Sequence, residues 1–253
     1  MPRLRAPAWQ NKNRYIPVLL CTTIFLSVAY TPNKARIIAD EAADFSHQDL
    51  ANYDFSDQQL SDAVFAGSRM PEVDFSRATL ERANLFRARM PASQLISSNA
   101  RYVDARHADL RTSDFTDANI SHGNFLKAKL NGITISHANV HGANLKGANL
   151  KDATAVGTQF DQADLSYTDI RHGDFRQGIF ANANLQFTFA HGVDFRGADF
   201  SGANIGGLHL YGADLRGAKG LTCALLATTT FGWETIRDSE LQCGHESWPP
   251  NPG

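Results

Sequence analysis

The 253-residue sequence predicts an all-β solenoid whose coils have four sides. An apolar residue recurs at every fifth position from Phe45 to Leu215 without an insertion or a deletion. A second and smaller residue, most often Ala, stands two positions before it. A helix repeats every 3.6 residues and a strand every 2, so neither element keeps a five-residue period on one side over this length. The chain therefore has to turn at regular intervals.

Each five-residue unit predicts one side of a coil. If the large apolar residue is called i, then in an extended segment i−2 and i point to the same side and i−1 points away. The residues i+1 and i+2 are then available to form a corner. Glycine occupies the i+2 position of six consecutive units, from Gly192 to Gly217, as suits a turn residue with positive φ.

A longer internal repeat indicates how many sides a coil has. Arg69-Met70-Pro71 returns as Arg89-Met90-Pro91, and Asp174-Phe175-Arg176 returns as Asp194-Phe195-Arg196. Both offsets are 20 residues, so four units make one coil, and the 36 units from Phe45 to Gly220 predict about nine coils. Stacked at the ~4.8 Å spacing of hydrogen-bonded strands, these coils form a rod roughly 43 Å long.

Stacking at this offset predicts columns of identical side chains. One inward column is a core ladder of Phe160, Phe180 and Phe200. Two adjacent outward columns contain alternating aspartates and arginines, namely Asp174, Arg176, Asp194, Arg196, Asp214 and Arg216. We interpret these outward columns as a solvated network of salt bridges. The alternative is an interaction face whose planar donors bind an anion or a partner.

Units such as Ala143-Asn144-Leu145-Lys146-Gly147 and Ala213-Asp214-Leu215-Arg216-Gly217 resemble the pentapeptide-repeat family. The resemblance covers about seventy per cent of the chain, residues 43–222. It implies a right-handed quadrilateral β-helix, in agreement with the period. Some members of the family inhibit a type II topoisomerase in the cytoplasm by mimicking DNA, so the resemblance also implies that activity as an alternative function.

Residues 1–30 predict an export signal. Four basic residues and no acidic one precede Ile16–Tyr30, fifteen uncharged and largely apolar residues, and Ser27-Val28-Ala29 offers a cleavage site. A cleaved signal peptide and an uncleaved N-terminal membrane anchor remain equal alternatives, because about 20 apolar residues usually span a bilayer. A buried structural segment is a third. Either of the first two places the repeat domain outside the cytoplasm, in the periplasm or anchored to the inner membrane. Residues 31–42 are then a linker or an N-terminal cap.

Residues 223–253 predict a C-terminal cap, because the end of a solenoid exposes its hydrophobic cross-section unless other residues cover it. Apart from Cys21 in the leader, Cys223 and Cys243 are the only cysteines, and we expect them to form a disulfide bond in an exported chain. Leu221 to Ala227 predicts a short helical turn, and Trp248 to Gly253 an unstructured tail.

The sequence indicates no catalytic residue, metal ligand or cofactor. None of the common nucleophile, phosphate-loop or dinucleotide motifs is present. Five histidines occupy i+2 corners, and the two that share a column, His47 and His107, lie about 14 Å apart by strand spacing, too far for one metal ion. A formal charge of −2 suggests no nucleic-acid partner. We interpret eight arginines, spread over several faces, as solubility charge rather than a groove: Arg69, Arg77, Arg82, Arg87, Arg89, Arg101, Arg106 and Arg111.

The sequence therefore predicts a non-enzymatic, exported or membrane-anchored scaffold that docks a protein or another component of the cell envelope. Membrane contact is expected only through residues 16–30, if they are not cleaved. DNA mimicry would need a long acidic surface, whereas here the acidic columns alternate with arginine.

Overall fold

The computed structural model describes residues 26–31, 34–39, 43–230 and 234–236. Its conventional elements are two short strands, β1 (Leu26–Thr31) and β2 (Lys34–Ala39), and one helix, α1 (Cys223–Leu226). β1 and β2 pair antiparallel, from Leu26 opposite Ala39 to Thr31 opposite Lys34. Between β2 and α1 the chain forms a solenoid. Each side of a coil pairs with the same side of the next coil through a parallel β-bridge, to which each side contributes a single residue.

The coil has 20 residues, as predicted. Bridges join each i−1 residue to the residue 20 positions later, from Asp44 with Val64 to Asp199 with Lys219. The i amide also donates to the next coil, as Phe45 N does to Val64 O at 2.7 Å. The predicted number of coils stays a prediction, because the chain on both sides of this bridged region is only partly described.

Most corners are turns closed by a hydrogen bond from the amide of i+3 to the carbonyl of i, such as Gly123 N to Ile120 O at 3.0 Å. At the two corners that contain proline, the Met70 and Met90 carbonyls accept instead from the hydroxyls of Ser93 and Ser113. Every i+2 residue from His47 to Gly217 has φ between 54° and 70°, which is the positive φ of a type II turn. Only eleven of these residues are glycine, and twenty-four are not. A left-handed conformation costs a non-glycine residue roughly 1–2 kcal/mol, and here the i+2 amide is held in place by its bond to the next coil.

The lumen is filled by the inward columns. Phe160, Phe180 and Phe200 are fully buried or nearly so, and their rings stack with centroids 5.0 and 5.2 Å apart. A second aromatic group lies at the N-terminal end, where Phe55 stacks on Phe75 and packs edge-to-face against Phe65. The small i−2 residues make this possible. Gly173, for example, lies where a Cβ atom would be 2.4 Å from Cε2 of Phe175.

The 20-residue spacing ends at the C-terminal cap. Thr222 caps α1 by accepting a hydrogen bond from Leu225 N, and Leu226 is buried in the core. After α1 the bridges resume with longer offsets, between His209 and Thr230 and between Asp214 and Ile236. The helical turn that was predicted for Leu221 to Ala227 is present as α1.

Several sequence predictions fall partly outside the described residues. Most of the predicted leader lies outside them, and its last residues, Leu26 to Tyr30, belong to β1. Within the described part of the chain, no helix has the length and apolar character needed to cross a membrane. Cys223 is disulfide-bonded, but Cys243 lies outside the described residues, so the pairing of these two cysteines stays a prediction. The predicted tail also lies outside them.

Candidate interaction surface

The 20-residue register divides the outer surface into four faces. Face 1 carries the central residues 45, 65, 85 and onward to 205, face 2 those from 50 to 210, face 3 those from 55 to 215, and face 4 those from 60 to 200. The outward residues of a face are i−1, i+1 and i+2, and i+2 forms the edge with the next face.

The predicted aspartate and arginine columns lie on the C-terminal half of face 3. Each arginine binds the aspartate two residues before it through Nε and Nη2, as Arg176 Nε and Nη2 bind the two carboxylate oxygens of Asp174 at 2.8 and 2.7 Å. Arg176 Nε also lies 3.8 Å from Asp194 of the next coil, and Arg196 Nε lies 3.7 Å from Asp214. The six residues therefore form one continuous network.

This pairing favours the charged form of Asp174 and Asp214. The hydrogen bond from Arg176 lowers the pKa of Asp174, and the hydrogen bond from Arg216 lowers the pKa of Asp214. The charge of these carboxylates is matched by guanidinium groups. The face is therefore polar and well ordered without being strongly acidic.

The eight arginines of the predicted basic zone lie on all four faces, and most of them are paired. Arg77 and Arg82 each bind an aspartate of the preceding coil, Asp57 and Asp62 respectively. Within the described residues, the remaining pairs are Arg82 with Glu81, Arg69 with Asp49, Arg106 with Asp104, and Arg111 with Asp109. This zone is not a single basic groove.

A basic surface that was not predicted from the sequence follows the edge between faces 1 and 2, and it shares Arg87, Arg89, Arg106 and Arg111 with the predicted zone. Over residues 84–152 these two faces carry eight basic and three acidic residues, whereas the intervening segments of faces 3 and 4 carry one basic and two acidic residues. Five of the eight cations have no carboxylate within salt-bridge distance among the described residues, and all five are exposed: Arg87, Arg89, Lys127, Lys129 and Lys146.

The same edge continues into exposed aromatic residues. Tyr167 stacks on Phe187 with ring centroids 5.2 Å apart, and Phe189 stacks on His209 at 5.0 Å. The exposed fractions of Tyr167, Phe187 and Phe189 are 54%, 45% and 42%, so these rings are not core residues. Lys146 Nζ lies 5.5 Å from the centre of the Tyr167 ring and links the two halves.

We call this feature the basic-aromatic edge. Its basic half is the five cations named above, and its aromatic half comprises Tyr167, Phe187, Phe189, His191, His209 and Tyr211. The edge runs over six coil steps, about 29 Å at the spacing of parallel strands. Its cations and rings are therefore arranged lengthwise, one half after the other.

His191 lies inside the aromatic half. Its ring packs edge-to-face against His209 and Tyr211, with centroids 5.9 and 6.1 Å apart. Burial lowers the pKa of His191, and His209 and Arg171 lower it further by repulsion. The ring therefore stays neutral at a lower pH than an ordinary histidine.

Corner histidines are packed against glycines of the following coil. His47, His122, His137 and His172 each lie below a corner glycine, and a Cβ atom added to that glycine would come within 2.7 to 2.9 Å of the Nδ1 atom below it. The ring needs this open space. Within the described part of the chain, no group of histidine, cysteine and carboxylate side chains is arranged to hold a metal ion.

Ser121, His141 and Asp161 lie in one column of face 4 in three successive coils. His141 Nδ1 contacts Asp161 Oδ2, as the histidine of a hydrolytic triad would contact its carboxylate. Ser121, however, is buried and donates its hydroxyl to Asn119 Oδ1 at 2.8 Å. The hydroxyl is thus directed away from the histidine, and the column does not have the arrangement of a nucleophile activated by a base.

Writing the sequence in rows of twenty residues would have revealed the basic-aromatic edge. One intervening coil separates Arg87 and Arg89 from Lys127 and Lys129. In chain order these four residues stand among arginines that belong to other faces, so their alignment is not visible. The register aligns them.

The family model for pentapeptide repeats matches this chain in eight copies, between residues 41 and 217. Comparison with curated proteins gives no match. Among solved structures, QnrB1, a plasmid-mediated fluoroquinolone resistance protein, is 18% identical, with a TM-score of 0.50 over 76% of this chain and 90% of that one. HetL, a protein involved in heterocyst differentiation regulation from Nostoc sp. strain PCC 7120, is 22% identical, with a TM-score of 0.39 over 77% and 85%. A thylakoid-lumen protein of Arabidopsis thaliana is 30% identical over 43% of this chain and 68% of that one, with a TM-score of 0.31.

Proposed function

Because the chain belongs to the pentapeptide-repeat family, we propose that it is a non-enzymatic β-solenoid that serves as an interaction scaffold in the cell envelope. The N-terminal segment exports it to the periplasm or anchors it to the inner membrane. Its partner is a protein or another envelope component, docked on the outer surface of the rod.

The observation that carries this proposal is the filled lumen. The central residues from Leu50 to Leu215 are at most 5% exposed, and the largest, such as Phe180 and Phe195, are fully buried. A closed interior has no room for a substrate or a cofactor, so the outer surface is the part of the solenoid that can act. Solenoids commonly use such extended surfaces to bind partners.

Export is tested by fusing the leader to alkaline phosphatase, which is active only outside the cytoplasm. We expect activity from the fusion with residues 1–42 and none when Arg3, Arg5 and the apolar run are deleted. An inactive fusion of the intact leader would contradict the envelope location.

Docking on face 3 is tested with a photo-crosslinking residue in place of Gln177, which is exposed beside Arg176. We expect a crosslinked envelope partner, and we expect Arg196→Glu to abolish the crosslink because it reverses the charge at the centre of the aspartate and arginine network. A crosslink that persists unchanged in Arg196→Glu would remove face 3 from the proposal.

The structural similarity to QnrB1 establishes a shared fold, and inhibition of a type II topoisomerase by DNA mimicry remains the alternative function. A DNA mimic needs unpaired carboxylates along its length. On face 3 the three C-terminal aspartates are bound by arginine, which favours the scaffold. Inhibition of purified gyrase by the intact chain would reverse this preference.

A further inference from the structure

We propose that the basic-aromatic edge is a membrane-binding surface that lies on anionic phospholipid headgroups. This inference rests on the proposed envelope location and adds a lipid partner to it. It also places membrane contact in the folded rod, beyond the contact that residues 16–30 would make.

The charges of the basic half match a negatively charged surface. Arg87 and Arg89 flank the edge in one coil, and Lys127 and Lys129 flank it two coils later, about 10 Å away by strand spacing. These cations are exposed and have no carboxylate within salt-bridge distance among the described residues, so they can approach lipid phosphates without first breaking a salt bridge. Asp109, which lies between Arg89 and Lys129 in the same column, attracts Lys129 but is itself bound by Arg111. Basic side chains close to an anionic leaflet attract it with energies that add along the surface.

The shape of the edge also matches a bilayer. The solenoid keeps its 20-residue spacing through all of this region, so the cations and the rings follow one another along the same edge of the rod. An edge of about 29 Å that carries both groups can contact a surface with both of them at once. The charges of faces 3 and 4, including the aspartate and arginine network, then point away from the membrane and stay available for a protein partner.

The aromatic half contributes two tyrosines, Tyr167 and Tyr211, and tyrosine is one of the two residue types enriched at the level of the headgroups. The orientation of its rings favours lipid over nucleic acid. Bases bind by stacking on free ring faces, but here Tyr167 and Phe187 cover each other, as do Phe189 and His209. Phe187 is also covered by Gly207, whose added Cβ would be 2.6 Å from its Cδ1 atom. Both faces of Phe187 are therefore covered, and Tyr167, Phe189 and His209 each have one face covered by a neighbouring ring.

The experiment measures how fast lysines of the full chain react with a membrane-impermeant acylating reagent, quantified by mass spectrometry. The chain is mixed with vesicles of phosphatidylglycerol and phosphatidylcholine, or with vesicles of phosphatidylcholine alone. Because each site is read separately, insertion of the N-terminal segment does not hide the result. Lys127, Lys129 and Lys146 report on the edge, and the exposed Lys219, at the end of face 4, is the internal control.

We expect the anionic vesicles to lower the acylation rates of Lys127 and Lys129 by at least about fivefold, the factor that corresponds to about 1 kcal/mol for one basic residue at an anionic surface. Lys219 should change by less than about twofold, because charges beyond a Debye length are largely screened. Equal protection of all four lysines, or no protection, would overturn the proposal.

A matched pair of variants separates the edge from net charge. Lys127→Gln with Lys129→Gln should abolish the protection of Lys146, whereas Arg101→Gln with Lys219→Gln removes the same charge from face 4 and should leave it intact. Loss of protection in both variants would show that net charge alone is responsible and would refute the edge.

Single-stranded DNA, added with phosphatidylcholine vesicles, tests the other polyanion. If it protects the same lysines as well as anionic lipid does, the assignment to lipid is wrong. Neither result bears on the face 3 crosslink, so the scaffold proposal can survive the failure of the membrane proposal.

Discussion

Three glycines with three different environments test how the solenoid uses this residue. Gly173 is an inward i−2 residue, Gly147 is a corner residue with φ of +64°, and Gly206 is an i+1 residue outside the positive-φ set. Each is replaced by alanine, which adds one Cβ atom and nothing else. The structure predicts a different sign or cause for each change in the free energy of unfolding.

Gly173→Ala is expected to destabilise by overpacking. The new Cβ atom would be 2.4 Å from Cε2 of Phe175 and 3.1 Å from the Ile170 carbonyl oxygen. The ring is fully buried and cannot move into solvent. Extra atoms in a well-packed core typically cost about 1–3 kcal/mol, and we expect a loss in this range.

Gly147→Ala is expected to cost about 1–2 kcal/mol for a different reason, the positive φ, because the nearest atom to its Cβ, Lys127 Cγ, is 3.6 Å away. Gly206→Ala has neither problem, since its nearest contact is also 3.6 Å, from Asn204 Oδ1. We expect Gly206→Ala to stabilise by about 0.4–1 kcal/mol through a lower entropy of the unfolded chain.

A double-mutant cycle identifies the clash with Phe175 as the cause at Gly173. Phe175→Leu removes the ring edge that the new Cβ would meet, so Gly173→Ala should cost about 1–2 kcal/mol less in that background. The assay is urea unfolding followed by circular dichroism, with the m-value checked for each variant. Equal costs in both backgrounds, or a Gly206→Ala variant as unstable as Gly173→Ala, would refute the reasoning.

Three further predictions concern hydrogen bonds and charge. Ser98→Ala should be neutral or up to about 1 kcal/mol stabilising, because the buried Ser98 hydroxyl has no hydrogen-bond partner among the described residues. Thr188→Val should cost about 1 kcal/mol, because Thr188 donates to Leu165 O at 2.6 Å. Urea midpoints that rank the two variants the other way would contradict this. Stability should fall as the pH is lowered through the ordinary histidine pKa of 6.5, because the unfolded chain binds a proton at His191 there while the folded chain, whose His191 pKa is lowered, binds it only at lower pH. His191→Gln should flatten this pH profile, and an unchanged slope of melting temperature against pH would count against the prediction. Arg196→Gln should cost less than about 1 kcal/mol, because the pair with Asp194 is solvent-accessible, and a loss of several kcal/mol in urea unfolding would mean that the network supports the fold.

The period of five and the offset of 20 could be predicted from the sequence because both come from packing. An inward Phe180 requires a small neighbour at i−2 and another large residue one coil away. Both requirements are visible in the sequence, because residues of the same size recur at fixed intervals. The handedness does not follow from the period. It came from the resemblance to the pentapeptide-repeat family.

The corners could not be predicted in full. Residues such as Arg77 and Phe187 disfavour a positive φ, and the sequence alone suggested that glycine meets this need. In the structure the bond from the i+2 amide to the next coil and the turn bond from i+3 to i hold the corner whatever residue occupies it. The preference of these residues for a negative φ is therefore overridden by the two backbone hydrogen bonds of the corner.

The pairing of charges was also only partly predictable. The register places Arg176 and Arg196 in one column, but it does not decide whether an arginine binds the aspartate of its own unit or that of a neighbouring coil. At i+1 the side chain folds back onto its own i−1 aspartate, whereas at i+2 Arg77 reaches the preceding coil. The cap was less predictable still, because after α1 the bridges at Thr230 and Ile236 follow longer offsets.

The unbroken register sets which changes in length this protein can tolerate. Deleting a single unit of five residues between Lys146 and Tyr167 would preserve the alternation of large and small inward residues and so need not unfold the rod. It would, however, turn every later side chain by a quarter of a revolution, and the rings at Phe187 and Phe189 would move round to the neighbouring side, out of line with Lys127 and Lys129. Only the gain or loss of a whole coil keeps the two halves collinear, so homologues that share this edge should differ in length there by multiples of twenty residues.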